Sequence, residues 1–144
     1  GWESYDFEGS FSCPVKIVND AAMQAVGSYE GKKLLFLGLG TGLGTAMVIN
    51  NTVLPLEGGH LPYKKGTFES YVGKEYLTKN GSTRWEKHVM NCIAHFTNVF
   101  QPDFMVLGGG NSKLLTQIPE RCRLGTNQNA FKGGFRLWEE DFKF

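Results

Sequence analysis

Glycine is concentrated in short clusters, and this clustering constrains the fold more than any other feature of the sequence. The chain has 19 glycines among 144 residues, whereas glycine usually makes up about 7% of a protein. Eleven of them fall in four clusters, at positions 38/40/42/44, 58/59, 108–110 and 133/134. Glycine adopts positive φ and permits close backbone approach. The clusters therefore predict tight loops and close contacts at a few defined places.

The overall composition predicts one soluble globular domain over residues 1–144. Hydrophobic residues make up 41% of the chain and charged residues 20%, and the formal net charge is +1. No apolar stretch reaches the length of a membrane helix, and no run of like charge favours nucleic acid, so neither partner is expected. The 3 cysteines are far apart, which fits neither a disulfide framework nor a zinc motif. A cytoplasmic location is expected.

Hydrophobic periodicity and turn residues predict alternating strands and helices. Strands are expected at 15–18, 33–39, 45–50, 52–56, 104–107 and 121–124. Helices are expected at 21–26, 67–78, 83–100, 112–117 and 127–138. Asn50 and Asn51 suit a two-residue hairpin turn, which predicts a β-meander, and Thr83 and Glu86 have capping-box spacing. Gly133 and Gly134 would allow the last helix to pack closely.

The loop from Gly40 to Gly44 is the first candidate for chemistry. Its glycines let backbone N–H groups converge on an anion and Thr41 adds a hydroxyl, so the loop could cradle a phosphate. A plain tight hairpin explains the same residues equally well. The Lys-Ser/Thr of a P-loop is absent, and a strand, not a helix, is expected to follow.

Asn19 and Asp20 lie between a predicted strand and a predicted helix. A carboxylate there could accept a proton from a substrate hydroxyl as a general base, with the neighbouring amide holding another hydroxyl. The alternative, favoured by frequency, is that Asp20 only caps the helix.

Glu57 and His60 follow the meander, separated by two glycines. Together they offer hydrogen-bonding groups suited to adjacent sugar hydroxyls, although a lone Glu and a lone His in a loop are more often plain surface residues. As a metal site the pair is poor, because no further His or Cys lies nearby.

Gly108, Gly109 and Gly110 follow a buried strand and precede a predicted helix. An open glycine surface at a helix N-terminus suits a phosphate or a nucleotide, and a simple strand-to-helix turn is the alternative. His88 and His95 are interpreted as surface or packing residues, and Trp85, Phe96 and Phe100 as core.

In order and spacing, four segments of the chain resemble the ROK family of sugar kinases and repressors, with the polyphosphate glucokinase-like branch nearest. They read Val-Lys-Ile-Val-Asn-Asp-Ala-Ala, Leu-Gly-Leu-Gly-Thr-Gly-Leu-Gly, Glu-Gly-Gly-His-Leu-Pro-Tyr and Val-Leu-Gly-Gly-Gly-Asn-Ser. The resemblance covers nearly the whole chain. It implies an α/β fold, namely a ribonuclease H-like lobe of the actin/hexokinase-like ATPase fold, with a mixed sheet, a β-meander and flanking helices.

The resemblance also implies roles for individual residues. Asp20 would be the catalytic base toward the sugar 6-hydroxyl. The other residues implied to bind the sugar are Asn19, Glu57, His60 and Glu69. Phosphate would be bound by Gly40, Thr41, Gly42 and Gly44, and the phosphoryl donor by Gly108, Gly109 and Gly110. The implied substrates are glucose or a similar hexose and either ATP or polyphosphate with Mg²⁺, and a homodimer is expected.

Two departures from the family pattern carry further expectations. Residues 61–71 contain no Cys, whereas many ROK proteins have a Cys-rich zinc motif there, so no structural zinc is expected. The family's N-terminal Asp-x-Gly-Gly-Thr motif is absent, which predicts that the chain is a C-terminal lobe without most of the N-terminal lobe. Two alternatives stay open: a non-catalytic sugar-binding or regulatory module, and an inactive fragment that mediates dimerisation.

Overall fold

A computed structural model describes residues 4–144 and shows a mixed β-sheet flanked by helices. The strands are β1 Leu34–Leu39, β2 Leu43–Ile49, β3 Thr52–Leu56, β4 Pro62–Tyr63, β5 Gly66–Thr67, β6 Phe104–Gly108 and β7 Cys122–Leu124. The helices are α1 Phe7–Phe11, α2 Asp20–Ser28, α3 Phe68–Val72, α4 Lys74–Asn80, α5 Ser82–Phe100 and α6 Gln128–Arg136.

Five strands form the main sheet in the order β3-β2-β1-β6-β7, and β4 and β5 form a separate hairpin. Strand β2 is antiparallel to both β1 and β3, while β6 runs parallel to β1 and β7 runs parallel to β6. The predicted β-meander is therefore confirmed. So is the predicted mixed α/β fold of a ribonuclease H-like lobe.

The expected residues form the β-meander, although strand β2 begins earlier than predicted. Asn50 and Asn51 both have positive φ, 49° and 59°, as a tight hairpin turn requires. Strand β2 begins at Leu43, two residues before the predicted start, because Leu39 and Leu43 already pair across the hairpin. The glycine loop is thereby shortened to residues 40–42.

Alternate residues of β1 feed two hydrophobic cores on opposite faces of the sheet. Leu35 and Leu37 pack with α3 and α5, among fully buried side chains that include Trp85. Leu34 and Phe36 pack with α2 on the other face. The two-residue period of a strand explains this division, and burial on both faces explains why β1 reads as a continuous apolar run.

The predicted strand at 15–18 is wrong. These residues are irregular in the structure and pair with no strand in the part of the chain that is described. Ile17 is 68% exposed. The segment has β-favouring residues, but a strand needs a neighbour to satisfy its backbone groups, and none lies beside it within residues 4–144.

The single helix predicted at 67–78 is wrong, since α3 and α4 are separate helices that meet at Gly73. Gly73 has an extended ψ of 167°, and a Cβ there would lie 2.8 Å from the Thr41 carbonyl oxygen. The next amide, Lys74 N–H, donates to that same oxygen at 3.0 Å. The break therefore brings the start of α4 against the glycine loop.

The helix predicted at 112–117 and the capping box at Thr83 are also wrong, for one shared reason. Only a short 3₁₀ turn, Ser112–Leu114, forms, and α5 begins at Ser82 without a side-chain cap. The Glu86 carboxylate accepts hydrogen bonds from the backbone N–H groups of Thr116 and Gln117 instead of capping its own helix.

Close packing of the last helix is confirmed for Gly133 but not for Gly134. A Cβ on Gly133 would lie 1.8 Å from the Met23 carbonyl oxygen on α2, whereas nothing lies within 4 Å of one on Gly134. A Cβ on Gly27 would likewise lie 1.8 Å from the Asn129 carbonyl oxygen on α6. The two glycines thus let α2 and α6 cross in near contact.

No helix among residues 4–144 is both long enough and apolar enough to cross a membrane.

Candidate functional site

A cleft of about 390 Å³ opens where β1 and β6 end and α2 begins. In sheets with parallel strands, ligand sites form at these carboxyl ends. Most of the residues predicted to carry chemistry line the cleft. They are Asn19, Asp20, Gly40, Thr41, Gly42, Gly44, Glu57, Glu69 and Gly109. His60, Gly108 and Gly110 are not part of its lining.

The loop at 40–42 has its carbonyl groups fixed by the surrounding protein. Asn111 Nδ2 donates to the Gly40 oxygen at 3.0 Å, and Lys74 N–H donates to the Thr41 oxygen. Gly40 N–H donates to the Gly42 oxygen at 3.2 Å. The N–H groups of Thr41 and Gly42 donate to no protein atom within residues 4–144. These two donors are therefore available to an anionic ligand.

Asn19, not Asp20, is the N-cap of α2. Asn19 Oδ1 accepts a hydrogen bond from Ala22 N–H at 2.7 Å, which leaves its amide nitrogen as the group able to contact a ligand. Asp20 Oδ1 accepts from Ala21 N–H at 2.8 Å, and no hydrogen bond to Asp20 Oδ2 forms among the described residues. Both side chains are exposed. A carboxylate oxygen is thus free at the mouth of the cleft.

Glu69 reaches the glycine loop from α3. Its Oε2 accepts a hydrogen bond from Leu43 N–H at 2.9 Å, and a Cβ on Gly42 would lie 2.1 Å from the same oxygen. Thr67 is the N-cap of helix α3, and its side chain forms a capping box with Ser70. The cap fixes the first turn of α3 and with it the direction of Glu69.

Glu57 directly precedes the 3₁₀ turn Gly58–His60 and His60 ends it, and the two side chains are only loosely paired. His60 Nδ1 lies 3.8 Å from Glu57 Oε2, and the side chains are 67% and 80% exposed, respectively. The turn itself is anchored, since Gly58 N–H donates to Thr45 Oγ1 at 2.9 Å. The structure brings Glu57 into the cleft and leaves His60 at its edge.

The glycines after β6 differ in their surroundings. Gly109 has φ of 82°, and a Cβ there would lie 2.4 Å from the Leu39 oxygen, so this position requires glycine. A Cβ on Gly108 would lie 2.5 Å from the Phe36 ring, while one on Gly110 would contact nothing within 4 Å. The helix expected to follow is absent, and only the short 3₁₀ turn Ser112–Leu114 comes after this segment.

Two further residues reach the site without having been singled out from the sequence. Gln24 lines the cleft, and it follows Asp20 by four residues, a spacing that places both on one helix face. That spacing is a signal the sequence does contain. Asn111 ties the end of β6 to Gly40, and nothing local in the sequence indicates this long-range bond.

Within residues 4–144, no group of three or more His, Cys, Asp or Glu side chains is arranged to hold a metal ion on its own. The three cysteines are free, with Cys13 exposed, Cys92 buried and Cys122 half-buried. The cleft does contain carboxylates from three separate segments, in Asp20, Glu57 and Glu69.

The sequence is similar to that of a curated enzyme, although no family model matches the chain. It is 33% identical over 111 residues to the polyphosphate glucokinase of Mycobacterium tuberculosis (strain ATCC 25177 / H37Ra). The similar region is 69% of this chain and 41% of that relative. The chain therefore spans well under half the length of the relative that it matches.

Solved structures of sugar kinases have the same fold. The inorganic polyphosphate/ATP-glucomannokinase of Arthrobacter sp. strain KM superposes with a TM-score of 0.74 at 21% identity, over 88% of this chain and 57% of that one. A ROK family glucokinase from Streptomyces griseus, solved in complex with glucose and AMPPNP, gives 0.71 at 16% identity, over 90% and 70%. The chain is therefore related in sequence to polyphosphate glucokinases and shares the fold of the ROK family sugar kinases.

Proposed function

We propose that the chain forms the sugar-binding part of a glucokinase-like phosphotransferase. The reaction would move a phosphoryl group from ATP or polyphosphate to the 6-hydroxyl of glucose or a similar hexose. The observation that carries the proposal is the cleft itself, because it holds a free carboxylate oxygen on Asp20 beside a loop with two free N–H donors. A general base next to an anion cradle suits phosphoryl transfer to a hydroxyl.

The acceptor side of the proposed site consists of Asn19, Asp20, Glu57, His60 and Glu69. Asp20 Oδ2 would take the proton of the attacking hydroxyl. The Asn19 amide nitrogen would donate to a neighbouring hydroxyl, since its oxygen is used as the helix cap. The carboxylates would accept from further ring hydroxyls, and His60, at the edge, would reach the ring from one side.

The donor side consists of the glycine segments. The N–H groups of Thr41 and Gly42 would bind a phosphate oxygen, with Gly40 and Gly44 allowing the approach, and Gly108–Gly110 would lie along the rest of the donor. Two exposed lysines lie close in sequence to these segments, Lys74 directly after the break at Gly73 and Lys113 two residues after Asn111. Neither forms an ion pair among residues 4–144, so both are free to attract an anionic donor.

The donor set of the cleft fits Mg²⁺. This ion is commonly bound by one or two carboxylates together with substrate phosphates, so it would be held mainly through the donor's phosphates and would leave the Asp20 carboxylate to act as the base. When bound, Mg²⁺ would supply charge neutralisation of the phosphates. The chain's own part is to orient the hydroxyl and accept its proton, with positioning and charge stabilisation providing most of the rate.

The partial match to the relative agrees with a further part of the proposal, that these residues correspond to one lobe, the C-terminal one, of a two-lobed kinase. The match spans 41% of the glucokinase. A second lobe would then close over the cleft and provide further contacts to the donor's phosphates. A cytoplasmic location, a homodimer and the choice between ATP and polyphosphate stay predictions.

One assay tests the proposal. Glucose, Mg²⁺ and either ATP or polyphosphate are incubated with the chain, with a longer protein that contains it, and with Asp20→Asn in both, and glucose 6-phosphate is measured. We expect product from the longer protein and a loss of roughly 10²–10⁴-fold in Asp20→Asn. Glucose binding without product from either would favour a non-catalytic sugar-binding module, and absence of both would contradict the proposal.

A further inference from the structure

A buried histidine outside the cleft joins three segments of the chain. His88 on α5 is 8% exposed. Its Nδ1 lies 3.0 Å from the Tyr63 hydroxyl in the β4–β5 hairpin, and its Nε2 lies 3.0 Å from the Tyr76 hydroxyl on α4. Asn91 Nδ2 donates to the same Tyr63 hydroxyl at 3.0 Å. One imidazole ring thus connects the hairpin, α4 and α5.

The hydrogen-bond directions determine which ring nitrogen carries the proton. Because Tyr63 is buried and its oxygen accepts from Asn91, its own proton must be donated to His88 Nδ1 or remain without an acceptor, which is costly. Nδ1 is then an acceptor, so a neutral ring carries its hydrogen on Nε2 and donates it to the Tyr76 oxygen. In this arrangement the buried Tyr63 hydroxyl and both ring nitrogens of His88 are satisfied, and the part-buried Tyr76 hydroxyl accepts from Nε2.

Tyr63 lies in the segment that connects two of the proposed sugar-binding residues. It follows His60 by three residues, and its ring stacks on Phe68 with centroids 4.5 Å apart. Phe68 directly precedes Glu69, and its N–H closes the segment by donating to the Leu61 oxygen at 3.1 Å. The position of the Tyr63 ring therefore affects both ends of the segment.

We propose that His88, uncharged and protonated on Nε2, is a positioning residue that holds the segment between His60 and Glu69 in place through the Tyr63 hydroxyl. Its relevance to sugar binding rests on the function proposed above. If His88 gained a second proton, Nδ1 would become a donor and the bond from the Tyr63 hydroxyl would be lost. Sugar affinity should then fall.

The groups around His88 favour the uncharged ring. Tyr63, Tyr71 and Tyr76 face it from the hairpin, α3 and α4, with ring centroids 5.0–5.7 Å away, and His95 of α5 lies edge-on to the Tyr63 ring. Lys64 lies over the Tyr63 and Tyr71 rings, and no carboxylate forms an ion pair with His88 within residues 4–144. Burial, and then the charge of Lys64, lower the pKa of His88.

Two variants and one control test the proposal by NMR of the ¹⁵N-labelled chain. The ring nitrogens of His88 report the tautomer directly, and backbone amide signals report the segment at 61–69. His88→Phe removes both hydrogen bonds, and His88→Gln keeps a polar side chain and remains informative if His88→Phe does not fold. His95→Phe is the control, because His95 touches the same Tyr63 and Phe68 rings without a hydrogen bond to the Tyr63 hydroxyl.

We expect the Nε2-protonated, neutral ring at pH 7 and displaced amide signals at 61–69 in the His88 variants, but not in His95→Phe. Glucose should bind roughly tenfold more weakly to the two His88 variants than to the unmodified chain, as expected for one lost buried hydrogen bond. The part of the pH dependence of glucose affinity that follows the His88 ring signal should disappear in His88→Gln.

An Nδ1-protonated or charged ring at pH 7 would overturn the proposal. So would equal amide changes in His95→Phe, or unchanged glucose affinity in variants whose segment has moved. If the unmodified chain binds no glucose, the proposed function fails. The ring tautomer and the amide signals then still decide whether His88 holds the segment.

Discussion

The Glu69 carboxylate accepts a hydrogen bond of 2.9 Å from the backbone N–H of Leu43, 26 residues away. This bond joins the start of α3 to the end of the glycine loop. It connects a residue of the proposed acceptor side with the loop of the proposed donor side, so the two halves of the cleft are held in one fixed relation. The Glu69 carboxylate can lie this close to the glycine loop because Gly42 has no side chain.

Gly42→Ala should break this connection. The added Cβ would lie 2.1 Å from Glu69 Oε2, so the flexible Glu69 side chain must move, at a small cost in folding stability. We expect Leu43 N–H to lose protection from hydrogen exchange. Gly40→Ala is the matched control, because its Cβ would meet nothing within 4 Å. Equal protection of Leu43 N–H in both variants would contradict the steric argument.

Gly133→Ala should destabilise the whole domain. Its Cβ would lie 1.8 Å from a backbone oxygen of α2, and backbone cannot move aside as a side chain can. We expect a loss of about 1–3 kcal/mol or more in the free energy of unfolding, measured by urea denaturation. Gly134→Ala, one residue further on and with nothing within 4 Å of the added Cβ, should instead gain roughly 0.5–1 kcal/mol from better helix propensity. The opposite order of the two variants would refute the close crossing of α2 and α6.

Glu86→Gln should weaken the anchor of the segment at 115–117, whereas Thr83→Ala should change little. Burial raises the pKa of Glu86, but hydrogen bonds from Thr116 and Gln117 outweigh it and the net pKa is lowered. The ionised form therefore stabilises the fold above about pH 4.5 and this contribution is lost as pH falls below that value. We expect a loss of about 0.5–1 kcal/mol at pH 7, which becomes smaller as the pH falls below 4.5. A larger loss of folding stability in Thr83→Ala than in Glu86→Gln would contradict this assignment and support the capping box.

The three cysteines should react with a thiol reagent at three different rates. Cys13 is exposed and should react at once. Cys122 is half-buried, and burial raises the pKa of its thiol, so it should react slowly. Burial raises the pKa of Cys92 to about 12, and since the thiolate is the nucleophile, this residue should react only after unfolding. Two fast thiols in the folded chain would contradict the described burial of Cys92 and Cys122.

The regular part of the fold was predictable because its signals are local. The apolar run of β1, the Asn50–Asn51 turn and the apolar period of α5 each depend on neighbouring residues, and the structure has all three. The predictions that failed depend on distant partners. The helix breaks at Gly73 because the Thr41 carbonyl group lies opposite it. The Glu86 carboxylate binds the backbone N–H groups of Thr116 and Gln117 instead of capping its own helix.

In the candidate site, too, the residues that depend on local sequence were predictable and those that depend on distant contacts were not. Asn19 and Asp20 were identified from a strand-like segment followed by a helix, and the helix is present although the strand is not. The contribution of Asn111 to the glycine loop, by contrast, is made across 71 residues. No pattern in the sequence near Asn111 carries that information, because it arises only when β1 and β6 pair in register.

The central claim is that the cleft beside Asp20 binds a hexose. The most direct measurement is a titration of the ¹⁵N-labelled chain with glucose, followed by backbone amide signals, with myo-inositol as a polyol control. We expect saturable shifts for glucose at Asn19, Asp20, Glu57 and Glu69, and none of comparable size for inositol. Glucose shifts confined to residues outside the cleft, or no saturable shift at all, would contradict it.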